Sequence, residues 1–306
     1  AKETAYQMKS FNTLSQVLRY LSEAHKTERT IVARMGLRTN GDLHLGNVFP
    51  LIVGTLLGSK IVKKGYEFRF VIYLVDQENG PEDLPFNKIP YNNKLSLADY
   101  SIFGIKKFVG DVQKEVPDIE VVYKKVSDIQ KQKKFRILLK NILKKDKRIN
   151  LQALCQKHGG KIKGYLRKDT FIFLCAQCGK KFSYFLYDKK LELMLDHDVL
   201  GVIEDNLFPI DIHIIGRDHT IVTEKNDSAL EFREKLQKVL GVSKHITFLT
   251  PLVLGKDKKK MSKSNETGLF LSQIRNENYS IQNIVDFVSK NVNKKNIEVP
   301  KFMYNE

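Results

Sequence analysis

Apolar residues recur along the chain with two different periods, and their alternation lays out the elements in order. Over residues 8–25, Phe11, Leu14, Leu18 and Leu21 keep helical spacing. The run 30–36, "TIVARMG", is almost continuously apolar and predicts a buried strand. Residues 43–64 predict a helix with Val48, Ile52, Leu56 and Leu57 towards a core. Pro50 falls in the first turns of that helix, where a missing N–H is tolerated. "YEFRFVIYLVD" (66–76) predicts a second buried strand. Strand, turn, helix and strand in that order make a βαβ unit, so the sheet is expected to be parallel with a right-handed crossover.

Downstream, 79–93 is a loop by its Gly, Pro and Asn content. A helix over 95–115 and a strand over 119–123 follow. Ser127 with Gln130 gives a capping-box pattern ahead of a Lys-rich helix, 128–145. The pattern then changes: 150–187 holds every cysteine, with short β-prone runs "TFIFLC" and "KFSYFLY". The core resumes with a strand at 209–216, a helix at 228–240 closed by Gly241, a strand-like run at 246–255 and a helical segment near 281–290. The expected organisation is a first half of an α/β domain at 1–149, a small insert at 150–188, a second half at 189–270 and a helical tail at 271–306.

Composition adds a partner class. Across 306 residues, 52 Lys+Arg face 35 Asp+Glu, a net charge of +17. That balance favours a polyanion, nucleic acid before anionic membrane. The opening residues lack the apolar core of a signal peptide and no apolar run reaches the ~20 residues of a membrane span, so a cytoplasmic protein without a membrane partner is expected. The cysteines are Cys155, Cys175 and Cys178. Cys155-x2-His158 and Cys175-x2-Cys178, separated by a β-prone hairpin, have the spacing of a four-ligand zinc ribbon. Lys157, Lys161, Lys163, Arg167, Lys168, Lys180 and Lys181 surround them.

Two further stretches carry chemistry. "RTNGDLHLGN" (38–47) lies where the first strand gives way to the long helix. Gly41 suits a turn of positive φ, Gly46 permits close backbone approach, and the new helix offers unpaired N–H groups to an anion. His44 and Asn47 could hold phosphate oxygens there. "GKDKKKMSKSNETG" (255–268) is a dense lysine loop, and lysine acts as a flexible point charge for phosphate.

His44-Leu45-Gly46-Asn47 followed by Lys260-Met261-Ser262-Lys263-Ser264 resembles the two signatures of class I aminoacyl-tRNA synthetases. The chain is most similar to the class I lysyl-tRNA synthetases: "KKGYEFRFVIYLVD", the basic stretch 125–149, and Gly216-Arg217-Asp218-His219 in "FPIDIHIIGRDHT" all resemble that family over about 25–270. The resemblance implies a Rossmann-like catalytic domain of the HUP type, ATP with Mg²⁺, a free amino acid and the acceptor end of a tRNA. It also implies structural Zn²⁺ in the insert, and it does not extend to an anticodon-binding region. In that reading His44, Asn47, Lys260 and Lys263 are catalytic. Gly41, Gly46, Gly216, Asp218, His219, Met261 and Ser262 contact the nucleotide, Gly46 by making room for adenine.

For the amino acid, Asp76, Glu78 and Asp196 are candidates by location, and each reads equally well as a cap or turn carboxylate. Arg34 could instead meet an acidic substrate, since glutamyl enzymes of the class carry arginine at the matching place. The chain departs from the lysyl pattern at "LELMLDHDVL", where that family has a tryptophan-bearing stretch, and it contains no tryptophan. Two other functions stay open: a paralogue that activates an amino acid for a different acceptor, and a non-catalytic RNA-binding relative.

Overall fold

The computed structural model describes residues 9–23, 30–78, 84–116, 119–146, 149–221, 228–241, 245–255, 258–261, 270 and 280–299. In chain order these form β1 (Ser10–Phe11), α1 (Leu14–Glu23), β2 (Ile31–Arg38), α2 (Leu45–Val62), β3 (Phe68–Val75), α3 (Leu97–Glu115) and β4 (Glu120–Lys125). Then come α4 (Val126–Ile129), α5 (Lys133–Lys145), β5 (Leu151–Leu154), β6 (Lys161–Arg167), β7 (Thr170–Leu174), β8 (Lys181–Phe185), α6 (His197–Leu207) and β9 (Ile212–Gly216). A 3₁₀ turn (Arg217–Thr220), α7 (Ala229–Leu240), β10 (Ile246–Thr250), β11 (Leu252–Leu254), α8 (Ile281–Asn291) and β12 (Asn296–Glu298) complete it.

Six strands form one parallel sheet in the order β1-β10-β9-β2-β3-β4. The chain winds outward from β2 through β3 to β4, then returns to the other side of β2 to lay down β9 and β10. This is the doubly wound, Rossmann-like α/β arrangement that the sequence predicts. Its direction reverses between β2 and β9, and a crevice opens there beyond the strands' carboxyl ends.

The side chains of β3 show how both faces are covered. Phe68, Phe70, Ile72 and Leu74 enter a core with α2, α3 and α8. Val71, Tyr73 and Val75 enter a second core with α5, α6 and the inner face of β5–β8. α2 is apolar on all sides because it lies deep in the first of these cores. By length and composition it is the one described helix that could cross a membrane, with 67% of its length buried inside the fold. The expectation that no stretch has a span's character is corrected to that extent.

Other expectations need correction. Phe11 belongs to β1, not to the first helix. Ser127 and Gln130 form no capping box: the Ser127 N–H donates to Asp76 Oδ1 at 2.9 Å, and the helix breaks after α4 and restarts at Lys133. Gln130 turns inward instead. Its Nε2 donates to Leu193 O at 3.0 Å and its Oε1 accepts from Leu193 N at 3.3 Å. The strand-like run 246–255 is split at Pro251, which has no N–H for the ladder. β11 leaves the main sheet there and pairs with β12. In the insert, β5–β8 make a separate four-stranded antiparallel sheet.

Candidate active site

A cavity of about 920 Å³ occupies the crevice at the β2/β9 reversal. Its wall brings together His44, Gly46 and Asn47 after β2, Gly216, Asp218 and His219 after β9, and Lys260 and Met261 after β11. Three stretches far apart in sequence thus share one wall, because each follows the carboxyl end of a strand.

The local geometry explains the spacing of the first motif. His44 is the N-cap residue of α2, extended at φ −96°, ψ 163°, with no side-chain cap bond. Its carbonyl accepts from Asn47 N at 2.8 Å and Val48 N at 3.1 Å. A Cβ on Gly46 would lie 2.9 Å from His44 Cε1 and Nδ1. Gly46 therefore makes room for the imidazole two residues earlier, and it lines the cavity. Gly41 takes φ +108°, and its backbone is clamped by Ser101 Oγ, which accepts from Gly41 N at 2.6 Å and donates to Gly41 O at 2.8 Å. It shapes the turn and does not line the cavity.

The second motif repeats the device. A Cβ on Gly216 would lie 2.3 Å from Asp218 Oδ1. Asp218 Oδ2 pairs with Lys260 Nζ at 2.6 Å. Burial works to raise the Asp218 pKa, but His219 and Lys260 beside it hold it below the usual carboxylate range. His219 is itself pushed down by burial, against the pull of Asp218. Met261 is 3% exposed and packs into the first core, so it anchors the start of the lysine loop. Phe270, past that loop, forms a β-bridge with His44. Ser262 and Lys263 lie outside the described residues.

In the wall of the cavity is a buried charge network around Arg34, whose partners the sequence reading missed. Arg34 is 2% exposed and hydrogen-bonds Glu204 at 2.8 Å, Gly201 O at 3.1 Å and His213 Nε2 at 3.1 Å; it forms an ion pair with Asp205 at 2.9 Å, and its guanidinium lies 4.8 Å from the centre of the Tyr73 ring. Arg233 reaches Asp205 at 3.0 Å and Asp198 at 3.7 Å. Burial and the nearby Asp205 push Glu204 up to about 8, although Arg34 pulls the other way. Burial and the neighbouring arginines depress His213 well below its ordinary value. One signal was legible: "VLGVIEDNL" sets two adjacent acids in an otherwise apolar helix, so at least one had to be buried with a partner.

The amino-acid candidates separate. Arg34 lines the cavity, paired there with Glu204 and Asp205. Asp76 is 2% exposed and holds the start of α4. Asp196 caps α6, accepting from Asp198 N at 2.8 Å, and lines the cavity. Glu78 forms a two-pronged pair with Arg38, at 2.7 Å on each side, and approaches His197 at 3.6 Å. Arg38 and His197, absent from the sequence reading, both line the cavity. The His197 pKa is raised because Glu78, Asp198 and Asp196 outweigh its burial.

In the insert, Cys155, His158, Cys175 and Cys178 converge with donor atoms all within 4.8 Å of one another. Cys155 Sγ and Cys178 Sγ are 3.8 Å apart, the edge of a tetrahedron with metal–sulfur bonds of about 2.3 Å. The donor set therefore fits a four-coordinate zinc-type ion. Among the described residues, His197, Asp198 and His219 form a second close group inside the cavity, and Asp205, His213 and His245 a third within the buried network.

No family model and no curated protein matches the sequence. Among solved structures the chain is similar to a protein described as an arginyl-tRNA synthetase from Campylobacter jejuni, with 14% identity and a TM-score of 0.49 over 94% of this chain and 70% of that one. It is also similar to a glutamate tRNA ligase from Elizabethkingia meningosepticum CCUG26117 (15%, TM-score 0.42, 76% of this chain, 52% of that one). A tyrosyl-tRNA synthetase from Aeropyrum pernix gives 16% identity and a TM-score of 0.44 over 85% of this chain and 63% of that one. The chain thus spans about half to two thirds of the glutamate and tyrosyl structures.

Proposed function

We propose that the protein activates an amino acid with ATP and Mg²⁺, forming an aminoacyl adenylate, and passes the aminoacyl group to the 3′ end of a tRNA in the cytoplasm. The observation that carries this reading is the convergence of His44, Gly46 and Asn47, Gly216 to His219, and Lys260 and Met261 on one cavity at the sheet's reversal point. An amino-acid carboxylate attacks the α-phosphorus, the bond to the β-phosphate oxygen breaks, and pyrophosphate leaves. No side chain need form a bond; the barrier falls by positioning and by neutralising the charge on phosphorus. His44 and Asn47, at the start of α2, would donate to the α-phosphate oxygens. Lys260, held by Asp218 when no phosphate is present, would turn to the departing pyrophosphate together with Lys263. Asp218 and His219 would meet the adenosine.

The amino acid in this proposal is lysine. Asp196 in the cavity lining, and Glu78 beside it in its pair with Arg38, are the carboxylates this reading offers to a cationic substrate. Zinc on Cys155, His158, Cys175 and Cys178 would cross-link the two knuckles; four protein ligands leave no open position, so its role is structural.

ATP–pyrophosphate exchange, measured across the amino acids with and without tRNA, tests the reading. Exchange stimulated by lysine, and reduced about 10²-fold or more in His44→Ala, is the expected result. Absence of exchange with every amino acid overturns it.

A further inference from the structure

We propose that His197, Asp198 and His219 form a second metal site, in the wall of the cavity, for a divalent transition ion of the zinc type, and that an ion there and the nucleotide exclude one another. Asp196 caps α6, so His197 and Asp198 open its first turn, while His219 stands on the 3₁₀ turn after β9. All three line the cavity, with their ligand atoms within 4.8 Å of one another. His197 Nε2 is 3.5 Å from Asp198 Oδ2. The imidazoles of His197 and His219 stand edge-on, 5.6 Å between centroids and 81° between planes, so both can approach one ion without clashing.

Two observations point to a ligand. Asp198 Oδ1 is buried and, among the described residues, accepts no hydrogen bond; Arg233 Nη1 lies 3.7 Å from it. A buried carboxylate oxygen left in that state is costly until a charge meets it. Behind the ring of His197, Glu78 lies 3.6 Å from Nδ1, away from the Nε2 that faces Asp198. A carboxylate in that position fixes the tautomer and orientation of a metal-binding histidine. Arg38 reaches the same Nδ1 at 3.1 Å but is itself held by Glu78 at 2.7 Å.

The donor set selects the ion. Imidazole suits zinc and nickel, whereas Mg²⁺ takes oxygen ligands. Three protein ligands leave an open position towards the cavity. The buried group of Asp205, His213 and His245 is not equivalent, because Arg34 and Arg233 both pair with Asp205 there. An ion on His219 takes that imidazole from the adenosine assigned to it above. The exclusion therefore rests on the proposed function, and the site itself does not.

The experiment is titration of the untagged full chain, purified with zinc in the buffer and then dialysed, with Co²⁺ in mildly alkaline buffer where the imidazoles are neutral. The expected result is one Co²⁺ per chain beyond the insert's zinc, with visible d–d bands and without the thiolate-to-cobalt charge-transfer bands of a cysteine site. Zn²⁺ displaces it and excess Mg²⁺ does not. His197→Asn and His219→Asn each weaken binding by more than the ~10–100-fold that loss of an outer partner costs, and Glu78→Gln falls within that range. Adenosine, which lacks chelating phosphates, weakens cobalt binding. Circular dichroism and retained zinc in the insert report that each variant is folded. Binding retained in both folded histidine variants is adventitious and overturns the proposal, as do thiolate bands from all the bound cobalt. Affinity unchanged by saturating adenosine overturns the exclusion. Cobalt binding without pyrophosphate exchange for any amino acid removes the function proposed above and leaves the site standing; exchange without cobalt binding does the reverse.

Discussion

Gly46 and Gly216 do the same work in different loops: each leaves space for a cavity-lining side chain two residues away. Gly216→Ala would put a methyl 2.3 Å from Asp218 Oδ1, so the carboxylate must swing out and release Lys260. The expected outcome is a several-fold or larger rise in the apparent KM for ATP in pyrophosphate exchange, with the melting temperature little changed. A second residue-scale prediction concerns Glu204. Its carboxyl is raised from 4.5 to about 8, so the folded state holds a proton that the unfolded state has lost. Stability from this group is complete below about pH 4.5 and disappears as pH rises through about 8. His213 has the opposite sign: its depressed pKa loses stability only as pH falls below about 6.5. Between pH 6.5 and 8 the Glu204 effect is therefore unopposed by His213. Wild type should lose stability steadily as pH rises there through this proton. Glu204→Gln should flatten the slope in urea denaturation. At this scale the sequence showed His44, Asp218 and Lys260 because motif spacing is local. It hid the hydrogen-bond partners of Arg34, because those lie 167 to 179 residues away along the chain.

At the scale of elements, β2, α2, β3, α3 and α7 were legible because their periodicity or caps are written in consecutive residues. Ser228 shows this best: its hydroxyl accepts from Glu231 N and Glu231 answers to the Ser228 N–H, a complete capping box. The same four-residue pattern at Ser127 misled, since a pattern of residue types does not say where a side chain is needed. Asp76 takes the Ser127 N–H, and Gln130 is drawn into the core by the chain at Leu193. β1 and β12 were invisible because such short strands exist only through their partners. Gln130 gives the test. Gln130→Ala would leave the Leu193 N–H and C=O buried without these bonds, costing about 1–3 kcal/mol in urea denaturation. An exposed neighbour such as Lys131→Ala should cost little. Equal effects would mean the amide does not brace the break between α4 and α5.

For the molecule as a whole, the question is how the metal knuckles relate to the Rossmann-like sheet. From sequence, the insert reads as a small module set between the two halves of the α/β domain. The packing ties it to one side of the fold. Leu151, Ala153, Ile162, Phe171 and Phe173 from the insert share a core with Phe135, Leu139, Val199 and Ile203 of the neighbouring helices and with Tyr73 of β3. The opposite layer, with α2, α3 and α8, draws on a different set of side chains. Stripping a structural metal should therefore destabilise the layers unequally. Hydrogen exchange after chelation is expected to rise steeply over β5–β8 and more modestly in α5 and α6. Protection in α2, α3 and α8 should stay near its starting level. Because Glu204 on α6 lines the cavity, with Asp205 next to it, the same treatment should weaken ATP–pyrophosphate exchange, although no knuckle residue lines the cavity. Uniform loss of protection would make the two layers one cooperative unit. A change confined to β5–β8, with full exchange activity, would make the insert an appendage.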